Sequence, residues 1–167
     1  MSLPDRNNPY AFDEYLAWRN GFDYYRDDEF FQKVVKYFSG PAWPAVHEEL
    51  SRMSPKVSFR WKDFSEAIAW PEKRPSVMHY DGHNHRIDRI VRPAQTEIME
   101  KEVFSEALFS KRTSPWLRLA KMFLIYQNGE ACIACPVTCT EGLVALLDRF
   151  ADTPETRRIL EHCREGI

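Results

Sequence analysis

Three thiols and three imidazoles are the side chains best equipped for chemistry in this 167-residue sequence. Cys132, Cys135 and Cys139 fall within eight residues, and His79, His83 and His85 alternate upstream. Both types ligate metals, which raises the reading of a metal-dependent regulator. Helix geometry argues against one zinc shared by the outer thiols. At about 1.5 Å of rise per residue, Cys132 and Cys139 stand about 10 Å apart along a continuous helix, whereas a zinc–sulfur bond is about 2.3 Å. Only unwinding at Pro136 would close that gap. Three thiols on one face of an apolar helix are expected in core packing. Apolar surroundings raise a thiol's pKa, which disfavours a nucleophilic thiolate. The histidines occupy a polar stretch and read as solvated side chains. No metal ligand and no catalytic residue is assigned on these grounds.

The Asp and Glu residues lie mainly on expected exposed helix faces rather than as a buried acid/base pair. More informative is Pro136-Val137-Thr138-Cys139-Thr140-Glu141-Gly142. Small, weakly polar residues in an otherwise apolar helix, just past a proline bend, let another backbone or a flat ligand come close. Tight helix packing produces the same pattern.

The elements that must position these residues are helical. Six glycines in 167 residues are about half the usual share, and no glycine-rich phosphate loop occurs. That scarcity also disfavours a hairpin-rich β fold. Asn8-Pro9 offers a capped helix start, followed at helical spacing by Phe12, Tyr15, Leu16 and Arg19. Asp27-Asp28 opens a second helix whose Phe30, Phe31, Val34, Val35 and Phe38 form an apolar stripe ending at Ser39-Gly40-Pro41;. Two shorter helices are expected over 42–53 and 59–69. Residues 71–93 read as a long surface loop with a turn at Tyr80-Asp81-Gly82 and no strand. A further stripe runs from Ala94 to Leu108. Trp116 to Tyr126 is apolar on nearly every face except Arg118 and Lys121, as in a central helix. Asn128-Gly129 stops it, and a last long helix runs to Phe150, bent or restarted at Pro136. Asp152-Thr153-Pro154 begins a short closing helix. The expectation is a single all-α domain over 1–167, an up-and-down bundle of six or seven helices.

A net charge of −2, from 23 basic and 25 acidic side chains, provides no field to gather nucleic acid or an anionic membrane. Charged residues are expected to interrupt every apolar run before membrane-spanning length, and Met1–Arg6 lacks a signal core. A cytoplasmic chain with four reduced cysteines follows.

The run Phe123-Leu124-Ile125-Tyr126-Gln127-Asn128-Gly129-Glu130-Ala131-Cys132, with Cys135-Pro136-Val137-Thr138-Cys139-Thr140, resembles the acyl-CoA dehydrogenase superfamily, especially its adaptive-response branch. Tyr80-Asp81-Gly82, Arg86-Ile87-Asp88 and Val91-Arg92-Pro93-Ala94 resemble the same branch. Arg92 and Gln95 stand where that branch carries histidine and tryptophan, a departure that points outside the group proper. The likeness is good over 78–167 and loose before residue 70.

The resemblance implies the N-terminal helical domain of a longer flavoprotein. Its FAD contacts would lie mostly in a β-rich middle domain, and its base in a C-terminal bundle. The stretch His162–Ile167 looks like the approach to that middle domain. The implied reaction is α,β-dehydrogenation of an acyl-CoA thioester, in which a carboxylate removes the α proton and hydride passes from the β carbon to the flavin. Thr138, Cys139, Thr140 and Glu141 are the positions implied to stand near substrate or flavin. Expected partners are the acyl-CoA substrate, the missing domains or a partner subunit, and further copies in a homo-oligomer. The alternative to an oxidoreductase is a non-catalytic helical interaction module that docks through the helix of Cys132 to Phe150.

Overall fold

The computed structural model describes residues 11–166; the Asn8-Pro9 helix start and Ile167 lie outside the described residues. The fold is an all-α bundle with one small hairpin. Its helices are α1 (Asp13–Gly21), α2 (Glu29–Ser39), α3 (Trp43–Pro55), α4 (Lys62–Ile68), α5 (Ala94–Phe104), α6 (Pro115–Tyr126), α7 (Ala131–Phe150) and α8 (Pro154–Glu165). The two short helices expected over 42–69 are one rod, because a wider π turn over Lys56–Trp61 joins α3 to α4. Seven helical rods result among the described residues.

Pro55 accounts for that change of winding. It has no amide to give the carbonyl of Ser51, and its ring crowds that carbonyl. Arg26 fills the vacancy, its guanidinium donating to Ser51 O at 2.7 Å. The rod's buried Ser54 and Ser58 tie down the chain entering α2, accepting the amides of Tyr25 at 3.1 Å and Tyr24 at 2.8 Å. Asp23 completes the turn by accepting from the amides of Tyr25 and Arg26 and from Ser54 Oγ.

The core runs between the rods: Leu50, Met53, Val57 and Trp61 from α3 and the π turn, Met99 and Val103 from α5, Leu124 and Ile125 from α6, Ile133 and Val137 from α7. Here α3 packs on α2 and α6, α4 packs on α5, and α7 packs on α5, α6 and α8. α5 stops four residues before the end of its predicted stripe, with Ala107 at φ 54°, yet Leu108 and Phe109 remain buried in the turn that follows. α8 begins as expected, with a Thr153–Thr156 capping box and Pro154 in the first turn;. It ends at left-handed Gly166, where a Cβ would collide with the carbonyl of Phe104.

Four charged side chains are buried, Asp23, Lys62, Glu106 and Lys121, and the last two are joined in one network. Lys121, one of two charged interruptions of the apolar α6 sequence, is fully buried. Its ammonium donates to the Glu106 carbonyl at 2.6 Å and pairs with the Glu49 carboxylate. Glu106 is also buried, and its own carboxylate takes Arg52 at 2.7 Å and Lys56 at 2.6 Å. Burial alone would push this carboxyl up, but the hydrogen bonds from Arg52 and Lys56 outweigh it and hold it below the usual range.

The segment 71–93 is not the strandless loop expected. It holds an antiparallel hairpin, β1 (Ser76–Tyr80) and β2 (Arg86–Val91), in which Val77 opposes Ile90 and Tyr80 opposes Arg86. β-branched Val77, Ile87, Ile90 and Val91 favour the pleated backbone. The alternation that normally reveals a strand is missing because every strand residue is exposed. Asn84, rather than Gly82, adopts the left-handed conformation at the turn, with φ 64°;.

Asp81 organises the turn by accepting the amides of His83 at 2.8 Å and His85 at 2.9 Å. Asp88 pairs across the strands with His79 at 2.7 Å and along its own strand with Arg86 at 2.8 Å. The amide of His85, then that of His83, hold the Asp81 carboxyl below the usual range; His79, then Arg86, do the same for Asp88. A carboxyl depressed by folding adds stability above its unfolded pKa of about 3.9 and loses it as pH falls through the folded value. Amide exchange should therefore show the hairpin protected down to about pH 4 and fraying below it while the bundle persists. Asp81→Asn should remove most of that pH step; an unchanged step in this variant would assign it elsewhere.

Candidate functional site

α7 carries the residues singled out by sequence. Gly129, at φ 66°, reverses the chain after α6, and the Glu130 carboxylate caps the new helix by accepting the Cys132 amide at 2.8 Å. The helix then continues through Pro136 without the restart that was one of the two expectations there. Pro136 leaves the Cys132 carbonyl without its helical donor. Two residues on, Thr138 Oγ donates back to the carbonyl of Ala134 at 2.9 Å.

Four consecutive helical residues sweep about 300° at about 100° each, so they cannot all face one ligand. The structure distributes them accordingly. Thr138 meets α6, where its hydroxyl accepts from the Tyr126 phenol at 2.8 Å. Glu141 also meets α6, through an ion pair with Arg118 at 3.4 Å. Cys139 is exposed. Thr140 enters a recess of about 630 Å³ between α5, α7 and α8, with Phe104, Pro136, Cys163 and Gly166. Thr138 and Glu141 thus share a side, while Cys139 and Thr140 lie on other faces. At Gly142 no atom stands within 4 Å of where a Cβ would be, which leaves room for close approach to this part of α7.

The three α7 thiols do not pack into the core as expected. Cys132 is half-buried, and Cys135 and Cys139 are exposed. α7 buries Ile133, Val137 and Val144, and the thiols lie off that stripe. Burial, then the Glu130 carboxylate, push the Cys132 thiol up, and the hydrogen bond with Cys135 pushes Cys139 up. Both directions disfavour a free thiolate nucleophile. No cluster of three or more His, Cys, Asp or Glu side chains suited to a metal occurs among the described residues.

α7 is also long and apolar enough, by length and composition, to cross a membrane, contrary to the expectation that charges interrupt every such run. The reason is that Glu141 is the sole charge between Ala131 and Leu147. In the structure the helix instead inserts Ile133, Val137 and Val144 into the bundle.

Sequence reasoning missed an apolar groove of about 420 Å³ between α2 and α6, lined by Phe30, Phe31, Val34, Phe38, Trp116 and Phe123. Of the α2 stripe, Val35 alone is fully buried, and Phe30 is 77% exposed. The signal was present in α6, whose apolar residues cover more of its circumference than the bundle buries. Leu119 and Trp116 are left on the open side.

The family model described as "Adaptive response protein AidB N-terminal domain" matches residues 17–162. The match extends well before residue 70 and includes Arg92 and Gln95, so those two departures do not remove the chain from the family. The structure of Caenorhabditis elegans ACDH-11 in complex with C11-CoA superposes with a TM-score of 0.72 at 16% identity, over 85% of this chain and 26% of that one. The Bd2924 apo-form superposes with a TM-score of 0.75 at 20% identity, over 87% of this chain and 30% of that one. No curated protein matches the sequence. The chain spans less than a third of either neighbour, and both likenesses speak to the fold. With a family match over nearly all its length and an all-α bundle of the same fold, the chain belongs to the AidB N-terminal domain family, the helical N-terminal domain of the acyl-CoA dehydrogenase superfamily.

Proposed function

We propose that this domain serves a flavin-dependent oxidoreductase that dehydrogenates an acyl-CoA thioester, with α7 as one wall of the acyl space. The observation that carries this reading is the open face of α7, where exposed Cys139 and Gly142 adjoin Thr138 and leave the backbone approachable. The acyl-CoA bound by the neighbour ACDH-11 supports the substrate class.

In this reading the chain supplies only part of the flavin's surroundings. The Thr138 hydroxyl donates to the Ala134 carbonyl and accepts from the Tyr126 phenol, and the sequence holds no glycine-rich cradle for a diphosphate;. The role assigned to this chain is packing and substrate enclosure, with FAD held largely by surfaces it does not supply.

The test is titration of a medium-chain acyl-CoA into the isotopically labelled chain, followed by backbone NMR, alongside a flavin-binding measurement. The expected result is shifts centred on Thr138–Gly142 with no tight FAD binding and no dehydrogenation. Shifts confined to the α2–α6 groove would assign the acyl group to a different surface. A yellow purified protein with flavin absorbance would refute the division of labour proposed here.

A further inference from the structure

We propose that Cys135 and Cys139 form a two-thiolate site for a soft monovalent cation, monovalent copper being the natural choice. Their sulfurs are 4.0 Å apart on the exposed side of α7, one helical turn from each other.

This spacing discriminates between the two things a pair of thiols can do. A disulfide requires sulfurs at about 2.05 Å and Cβ atoms near 3.8 Å. Helical neighbours at i and i+4 keep their Cβ atoms about 5–6 Å apart, so closing the bond means distorting the helix. A bridging cation requires no such movement. Placed about 2.3 Å from each sulfur, it subtends an S–metal–S angle of about 120° at the observed separation. Two ligands at that angle leave one side open to an exogenous donor.

Ligand type selects among cations. Thiolates favour copper(I) over harder ions, and zinc prefers four protein or water ligands. The described residues offer no third His, Cys, Asp or Glu grouped with these two for a metal. A soft ion content with two or three ligands fits the pair better. Cys132 belongs to the same helix but is half-buried beside Glu130, and Cys163 lines the recess of Thr140. Binding is a simple exchange: two S–H bonds break, two metal–sulfur bonds form, and two protons leave to solvent with no change of oxidation state.

The experiment is anaerobic titration of the whole chain with copper(I) in competition with a chromogenic copper(I) chelator. The expected result is one equivalent per chain at neutral pH. Because binding displaces two protons, the apparent affinity should rise about 100-fold per pH unit while both sulfurs start as thiols. Changing a supporting residue near a metal typically costs 10–100-fold, so losing a ligand in Cys135→Ser or Cys139→Ser should exceed about 100-fold. Cys132→Ser and Cys163→Ser should leave uptake unchanged. Both site positions are exposed, and unaltered helix content by circular dichroism confirms that the variants fold.

Retention of copper(I) by the Cys135→Ser/Cys139→Ser double variant would overturn the proposal, as would an equal loss in Cys132→Ser. Tighter uptake of zinc than of copper(I) would overturn the assignment to a soft monovalent ion. Rapid closure of a Cys135–Cys139 disulfide in air would show that the helix does not hold the thiols at a metal-bridging separation.

Discussion

Glu49→Ala should lower the unfolding free energy by about 3 kcal/mol, because it strands a fully buried ammonium. Lys121 has no exposed surface, and its protons go to the Glu106 carbonyl and the Glu49 carboxylate. Breaking a buried pair from one side typically costs about 3–5 kcal/mol. The low end applies because the Glu106 carbonyl still accepts from the ammonium and half-buried Glu49 leaves space that water can enter. In a domain of this size that is a fall of roughly 6–12 °C in Tm. Adding Lys121→Met should recover part of the loss, since the unpaired charge disappears. The double variant then bears mainly an unsatisfied Glu106 carbonyl, about 1–3 kcal/mol. Chemical denaturation of the two single variants and the double decides the matter. If Glu49→Ala is no worse than the double variant, the buried charge is not the source of the cost.

Trp61→Ala should be at least as damaging, at about 3–5 kcal/mol. Trp61 is the largest fully buried side chain and occupies the last position of the π turn, where the rod changes winding. Its indole Nε1 donates to Glu102 Oε2 at 2.8 Å. Trp61→Phe separates the two contributions, since it retains most of the packing and deletes the donor. Glu102 keeps its bidentate partner Arg60, with contacts from 2.7 to 3.1 Å, so Trp61→Phe should cost only about 1 kcal/mol. Similar losses in both variants would shift the weight from packing to the hydrogen bond.

Much of this architecture is legible in the sequence because helices announce themselves locally. The Thr153-Pro154 start, the Asn128-Gly129 stop and the Asp28 cap of α2 are each written in two or three adjacent residues. The hairpin was hidden because its strands bury neither face. The π turn was hidden because Pro55 reads as a terminator unless one knows that Arg26, far away in sequence, satisfies the carbonyl it frees.

The burial of Lys121 was equally opaque, since its two acceptors come from α3 and from the turn after α5. For the candidate site, the sequence singled out a stretch of α7 but not how its side chains are distributed around the helix. Consecutive residues 138–141 point around nearly a full turn, and only the packing partners of α7 show that Thr138 and Glu141 share a side. The thiols illustrate the same limit. Periodicity groups Cys132, Cys135 and Cys139, but which group meets the core depends on where Ile133, Val137 and Val144 insert.

The wide turn at Lys56–Trp61 lets one rod serve two neighbours, α3 lying against α2 and α6 while α4 lies against α5. Each residue of a regular helix turns the chain by about 100°. Deleting one residue from this turn would rotate α4 by about that angle relative to α3, swinging Ser65 and Ile68 out of the interior and Asp63 and Glu66 toward it. The six residues thus act as a phase adjuster: their length, more than their composition, sets which side of the second half of the rod is the inside.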